Sequence, residues 1–327
     1  MHMVKICALG SASQDVFISG EGISSQLDPK INKYAKEFVQ PFKLGAKINV
    51  EKVNFATGGG ATNAAVTFAR QGLSSSFIGK MGNDVAADVV ISELDKEYID
   101  SSQVIRDEKG GTQYSTVLLT DSGERTILIY RGAATSHKAE DYENLDFSKF
   151  DWIYVSTFAG RFEALSTIFR KAAENNVKIA FNPGEAELAD PNKLKALLDE
   201  VEILLVNKEE AQQIVPGETL DELVRHLLKY APISVVSDGP NGVMASDGKY
   251  MVRAGMYEDV PVLDRTGAGD AFGSGLTSQI AQGKSLKEAV IFGSANSTSV
   301  VQYLGAKQGI LREDVKLHDM PLSEKPF

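Results

Sequence analysis

From residue 150 onward, short apolar runs alternate with segments whose apolar residues recur every three or four positions. Trp152–Ser156, Val177–Phe181, Ile203–Val206 and Ile233–Val236 read as buried strands. Glu163–Asn175, Lys193–Asp199 and Leu220–Tyr230 read as helices, the first with Leu165, Ile168, Phe169 and Ala172 on one stripe. Upstream, Val4–Leu9 is a short apolar run ending at Gly10-Ser11, which reads as a first buried strand. A helix starting at Thr62 or Asn63 ends at Gly72, and Asp84 caps another that reaches about Tyr98. Strand–helix alternation of this kind predicts an α/β fold, a parallel sheet covered by helices on both faces. Ligands of such sheets bind at the carboxyl ends of the strands, here Asn182, Asn207 and Asp238-Gly239.

The pattern changes between 112 and 131. Tyr114–Thr120 and Arg125–Tyr130 are rich in β-branched and aromatic residues and flank Asp121-Ser122-Gly123-Glu124, a hairpin signal. With residues 15–20 this predicts a small antiparallel sheet that acts as a lid, built from about 12–54 and 110–133 within one domain spanning 1–327. Val243–Arg253 reads as a second hairpin around Asp247-Gly248. Residues 21–50 are polar and aperiodic and read as an insertion.

The 327 residues suffice for a large core, and 43% apolar and 24% charged content fit a globular chain. A net charge of −10 gives no electrostatic basis for binding nucleic acid or an anionic membrane. No secretory leader or long apolar run is present, so a cytoplasmic location is expected. Met1-His2 reads as an appended pair ahead of a native Met3. Cys7 reads as a small buried residue, and the four histidines have no metal-ligand spacing.

The candidate chemistry lies in Asp264-Arg265-Thr266-Gly267-Ala268-Gly269-Asp270. Glycine-rich backbone opens a predicted helix there, and unpartnered amides at a helix start bind anions. A carboxylate beside an anion cradle suits removal of a proton from a hydroxyl that attacks a phosphoryl centre. A tight turn before a packed helix is the plainer alternative. A second cluster, Thr57-Gly58-Gly59-Gly60-Ala61-Thr62-Asn63, lets a ligand approach the backbone, and Asn63 offers both a donor and an acceptor. The first strand is not followed by G-x-G-x-x-G, and no G-x-x-x-x-G-K-[ST] occurs, which argues against a nicotinamide dehydrogenase and a P-loop enzyme.

Together the two clusters resemble the signatures of the ribokinase-like, or PfkB, family of carbohydrate kinases. Gly58-Gly59…Asn63-Ala64-Ala65 matches the first signature, and Asp264 to Asp270 matches D-[ST]-x-G-A-G-D, with Arg265 departing from the usual Ser or Thr. Gly10-Ser11…Asp15, Ile78–Asp84, Asn207-Lys208-Glu209-Glu210 and Gly239…Gly242 follow the family order over nearly the whole chain.

The resemblance implies a three-layer α/β sandwich with a β-sheet lid, and ATP-dependent phosphorylation of a sugar hydroxymethyl group. It implies Asp270 as base and amides of Gly267, Ala268 and Gly269 on the transferring phosphoryl. Asp15, Gly58, Gly59 and Asn63 would hold sugar hydroxyls. Apart from the resemblance, Arg131 closes the lid hairpin, where it would either reach an anionic or polyhydroxy substrate or stand as a solvated lid arginine. Asn207 and Glu210 would organise Mg²⁺ and the phosphates through water. Ser237, Gly239, Gly242 and Asn296 would line the nucleotide site. Asp264 and the Thr266 carbonyl resemble a monovalent-cation site that usually favours potassium.

Three alternatives stay open: a nucleoside kinase, a sugar-phosphate kinase using Lys43, Lys47 or Arg131, and a catalytically silent sugar-binding regulator. The lid strands are expected to close over the sugar and exclude water. An exposed lid edge invites pairing of two copies into a homodimer.

Overall fold

The computed structural model describes residues 3–20, 23, 42, 44–120 and 125–327. Most of the expected insertion, Lys43, and the 121–124 turn lie outside the described residues.

Nine strands form the main sheet, in the order Leu322–Pro326, Tyr250–Ala254, Val243–Ser246, Ile233–Ser237, Ile203–Asn207, Lys178–Phe181, Trp152–Val155, Lys5–Leu9 and Ser74–Ile78. Neighbours from Ile233–Ser237 to Ser74–Ile78 run parallel, whereas the last three strands at the other edge pair antiparallel. Because strand side chains alternate faces, each strand feeds two apolar layers. Ile6, Ala8, Trp152 and Tyr154 pack with the helices Gly60–Arg70, Val85–Lys96, Ala268–Ala281 and Leu286–Val300. Cys7, Leu9, Ile153 and Val155 pack with Phe162–Glu174, Lys208–Ile214 and Leu220–Leu227 on the opposite face. The three-layer arrangement expected from the alternation is present, and Cys7 is a buried free thiol.

Helix boundaries follow local chemistry. Asp84 accepts from the Ala87 amide at 3.0 Å and starts Val85–Lys96. The segment expected as one helix over 193–199 is instead Pro191–Lys195 followed by a 3₁₀ turn, Leu198–Glu200. Proline at the first helical position and Asp190 capping the Lys193 amide move its start upstream.

A separate four-stranded sheet has the order Lys52–Gly58, Ser13–Ser19, Gln113–Leu119, Arg125–Tyr130. Ser13–Ser19 pairs antiparallel with Lys52–Gly58 and parallel with Gln113–Leu119, and the latter forms the expected antiparallel hairpin with Arg125–Tyr130. The Asp15↔Ala56 and Asp15↔Ser115 pairings place Asp15 in the interior of this lid. Ser13–Ser19 follows the first core strand directly, and Lys52–Gly58 leads directly into Gly60–Arg70. The lid is thus joined to the core at the glycine cluster.

Candidate active site

The helix Ala268–Ala281 begins at Gly267, whose φ of 78° lies in the left-handed region. A side chain there would strike Ala306, so both the backbone conformation and the close approach require glycine. Of the three expected cradle amides, Ala268 N–H turns back to the Arg265 carbonyl at 3.3 Å. Gly267 and Gly269 amides have no protein acceptor among the described residues, nor does the amide of Asp270. The amides left open at this turn among the described residues are therefore those of Gly267, Gly269 and Asp270, while the Ala268 amide is held by a long turn contact.

Asp270 stands in the first turn of that helix and is half-buried. Asn63, in the first turn of Gly60–Arg70, donates through Nδ2 to Asp270 Oδ2 at 2.8 Å. This joins two residues 207 positions apart. Burial pushes the Asp270 carboxyl above the usual range, and the Asn63 hydrogen bond and Lys307 oppose it. Asn63 is 3% exposed, and its Oδ1 is buried with no hydrogen-bond partner among the described residues. A buried acceptor left unmade costs roughly 1–3 kcal/mol.

Asp15 lies against Gly58 and is also buried. Burial raises its pKa, while hydrogen bonds from Ser115 and Ser13 lower it, the Ser13 hydroxyl lying 3.0 Å from Oδ1. Gly59 packs on the Ser11 carbonyl, and Ser11 Oγ accepts the Gly60 amide at 3.2 Å. Asp15, Gly58, Gly59, Asn63 and Asp270 are thus linked through direct contacts around the lid–core junction. Arg131 is exposed at the end of Arg125–Tyr130, and no side-chain contact among the described residues connects it to this group.

Beside the cradle lies a cavity of about 460 Å³ lined by Ser237, Gly239, Gly242, Arg265, Gly269 and Phe272, among others. Three residues expected at the nucleotide are there, and the departure at Arg265 projects into the same space. Asn296 does not reach it. Its Nδ2 donates to the Ala271 carbonyl at 2.8 Å and its Oδ1 accepts from the Leu311 amide at 2.9 Å, so the buried amide ties two segments together. Ser294, Ser297 and Thr298 face the cavity instead. The helical phase puts the asparagine of this polar stretch on the inner side.

Asn207 and Glu210 form a reciprocal cap of Lys208–Ile214. Asn207 Oδ1 accepts the Glu210 amide at 2.9 Å and Glu210 Oε2 accepts the Asn207 amide at 2.8 Å. Burial raises the Glu210 pKa, and no cation is among the groups acting on it. A half-buried carboxylate without a cation fits a divalent ion carried mainly by water and phosphate oxygens. No cluster of three acidic, histidine or cysteine side chains exists among the described residues to cage a metal by itself. Burial, and then the charges of Asp270 and Glu210, push the Tyr154 hydroxyl up.

Three neighbours escaped sequence reasoning. Lys307 is buried, donates to Thr57 Oγ1 at 2.8 Å, and is pushed down to about 7 by burial. Tyr154 lies under the helix start, next to Gly273. Arg125 Nη1 reaches Asp264 Oδ1 at 3.2 Å across 139 residues. None belongs to a local motif.

A model of the pfkB family carbohydrate kinases matches residues 30–312. A ribokinase of Staphylococcus aureus (strain COL) is 27% identical over 321 residues, covering 95% of this chain and 98% of that protein. A ketohexokinase of Mus musculus is 26% identical over 247 residues, 72% of this chain and 81% of its own length. Among solved structures, a nucleoside kinase of Methanocaldococcus jannaschii superposes with a TM-score of 0.76 at 20% identity, covering 95% of this chain and 96% of that one. A ribokinase of Thermotoga maritima gives 0.75 at 22% identity, with 96% and 97% coverage. At such identities these two structures speak for the fold alone, which they share with the three-layer sheet and separate lid described above. With the family pattern spanning most of the chain and both signatures meeting at one site, the chain belongs to the pfkB family of carbohydrate kinases.

Proposed function

We propose that this protein transfers the γ-phosphoryl group of ATP to a hydroxymethyl group of a sugar, acting as one 327-residue unit in the cytoplasm. The single observation that carries the proposal is the Asn63–Asp270 pair. One end of the amide fixes the carboxylate, and the other leaves a buried acceptor for a substrate hydroxyl.

In this reading Asn63 and Asp15 orient the sugar, with Gly58 and Gly59 allowing its close approach. Asp270 accepts the proton as the hydroxyl oxygen forms its bond to the γ-phosphorus. The bond from that phosphorus to the bridging oxygen breaks, and ADP leaves with the electron pair. Gly267 and Gly269 amides, at the positive end of a 14-residue helix, stabilise charge on the phosphoryl oxygens. A loose transition state needs positioning more than base strength, so a carboxylate is adequate. Ser237, Gly239, Gly242 and the Ser294, Ser297 and Thr298 face form the nucleotide cavity. Mg²⁺, organised by Asn207 and Glu210 through water, supplies charge neutralisation on the phosphates when bound.

The test is ADP release across pentoses, hexoses, keto-acids, sugar phosphates and nucleosides. A pentose or hexose is the expected acceptor, and Asn63→Ala should raise its KM roughly tenfold or more through the lost charge-neighbouring hydrogen bond. Turnover with nucleosides or sugar phosphates alone would transfer the site to those substrates. No turnover with any acceptor would favour a sugar-binding regulator.

We further propose a homodimer through the lid. Val53, Phe55, Ile127, Leu128, Ile129 and Tyr130 are between 40% and 67% exposed on this sheet. Among the described residues Arg125–Tyr130 is an edge strand, and exposed apolar edges are sites of association. Sedimentation should give twice the chain mass, and Leu128→Glu should halve it. A wild-type monomer at micromolar concentration refutes the dimer.

A further inference from the structure

The resemblance to the family implies a monovalent cation beside Asp264 and Thr266, and the groups there do not fit a free ion. The Asp264 side chain is 1% exposed. Its Oδ1 accepts the Thr266 amide at 2.9 Å and the Thr266 hydroxyl at 2.7 Å, and its Oδ2 accepts the Gly305 amide at 3.1 Å. Arg125 Nη1 adds a fourth donor, 3.2 Å from Oδ1. A carboxylate oxygen has about two lone-pair sites, so the three donors on Oδ1 fill it, and Oδ2, which accepts one, keeps a single site for a hard cation that needs oxygen lone pairs. The Thr266 hydroxyl is itself spent as a donor to that carboxylate, which leaves the Thr266 carbonyl as the other expected ligand. A guanidinium already in contact with the carboxylate also repels a second positive charge.

The pair has a buried carboxylate and a guanidinium that is partly in water, the arginine being 31% exposed. The partners come from the lid sheet and from the loop before Ala268–Ala281. Arg125 opens the lid strand Arg125–Tyr130, whereas Asp264 begins the loop that carries Gly267 and Gly269. Gly305, held by the same carboxylate, is followed by Ala306, the residue packed against Gly267. One carboxylate therefore joins three segments: the lid, the cradle loop and the loop supporting the cradle from below.

We propose that Arg125 is a positioning residue whose guanidinium supplies, from the lid, the positive charge that a monovalent cation supplies in the family pattern, so that phosphoryl transfer by this protein is independent of potassium. This inference rests on the kinase reading. The charge lies beside the helix start and adds to the potential that holds the transferring phosphoryl group. Because it is covalently part of the lid, it acts on the cradle while the lid strand is in place.

The experiment compares kcat in choline chloride with kcat in potassium chloride at equal ionic strength, on whichever acceptor the panel identifies. Wild-type kcat should agree within about twofold between the two salts. Arg125→Ala should lower kcat in choline roughly tenfold or more, the loss of a charge-assisted hydrogen bond. Potassium or low guanidinium chloride should restore part of it, which a merely structural defect would not allow. Activation of the wild type by potassium of about tenfold or more, or undiminished kcat of Arg125→Ala in choline, overturns the proposal. Thermal melting in the same two salts provides a reading that needs no turnover. Wild-type Tm should be the same in both, and that of Arg125→Ala should rise with potassium as the vacated site fills. A potassium-specific rise in wild-type Tm overturns the proposal. A chain that phosphorylates nothing fails the kinase reading, and the melting comparison then still decides whether the site takes an ion.

Discussion

Asp270→Asn is expected to lower kcat by about 10²–10⁴, the usual contribution of a positioned acid–base group, while nucleotide affinity stays nearly unchanged. Asparagine keeps the size of the side chain and an oxygen for the Asn63 Nδ2 donor, now 2.8 Å from the carboxylate. What disappears is the capacity to take a proton from the attacking hydroxyl. The pH dependence follows from the direction of the shift. Burial places the folded-state pKa of Asp270 above its ordinary value near ~4, and the active form is the carboxylate. kcat/KM should therefore fall on the acid side as pH drops through that raised pKa, and this limb should be absent from the residual activity of Asp270→Asn. The stability consequence has the opposite sign. A carboxyl with a raised folded pKa binds its proton more tightly in the folded state, so its charge opposes folding at neutral pH and the opposition fades on acidification. The asparagine variant should melt at or above the wild-type Tm at neutral pH. Wild-type turnover in this variant would remove Asp270 from the reaction, and a large fall in Tm would show that its carboxylate holds the fold together.

Gly267→Ala should damage both stability and turnover. Its φ of 78° costs an L-residue about 1–2 kcal/mol. A methyl group would also collide with Ala306, and overpacking typically costs about 1–3 kcal/mol. The combined loss of about 2–5 kcal/mol is a large part of the roughly 5–15 kcal/mol that stabilises a native protein. Any relaxation that relieves the clash moves the cradle, and displacing one such donor costs roughly 10²–10³ in kcat. Gly248→Ala is the control. Its φ is similar, at 76°, but a side chain there meets no atom within 4 Å, so only the conformational part of the cost should appear. Chemical denaturation and steady-state kinetics on both variants separate the two contributions. If Gly267→Ala matched Gly248→Ala in Tm and in kcat, neither the packing on Ala306 nor the geometry of the cradle would matter.

Linear reading succeeded where the relevant physics is local. Period-two and period-3.6 patterns located the strands and helices, since burial on one face imposes them over a few residues. The Asp84 cap and the Gln113–Leu119 hairpin partner were legible for the same reason. The glycine run before Asp270 announced a helix start with open amides, although which amides stay open depended on the turn that brings Ala268 to the Arg265 carbonyl. Asn296 shows where local reading failed. Its neighbours revealed a small, polar helix face, but the rotation of that helix against Ala268–Ala281 decided that the asparagine points inward.

By itself the sequence determined the α/β class, the order of the elements, the lid hairpin and the two glycine clusters, because propensity, patterning and turn chemistry act between near neighbours in the chain. Only the tertiary structure decided that Asn63 meets Asp270, that Lys307 lies behind Thr57, and that Arg125 reaches Asp264. Those contacts join residues more than a hundred positions apart, and they are fixed by how the helices pack on one another and the lid on the core, which no short stretch of residues encodes.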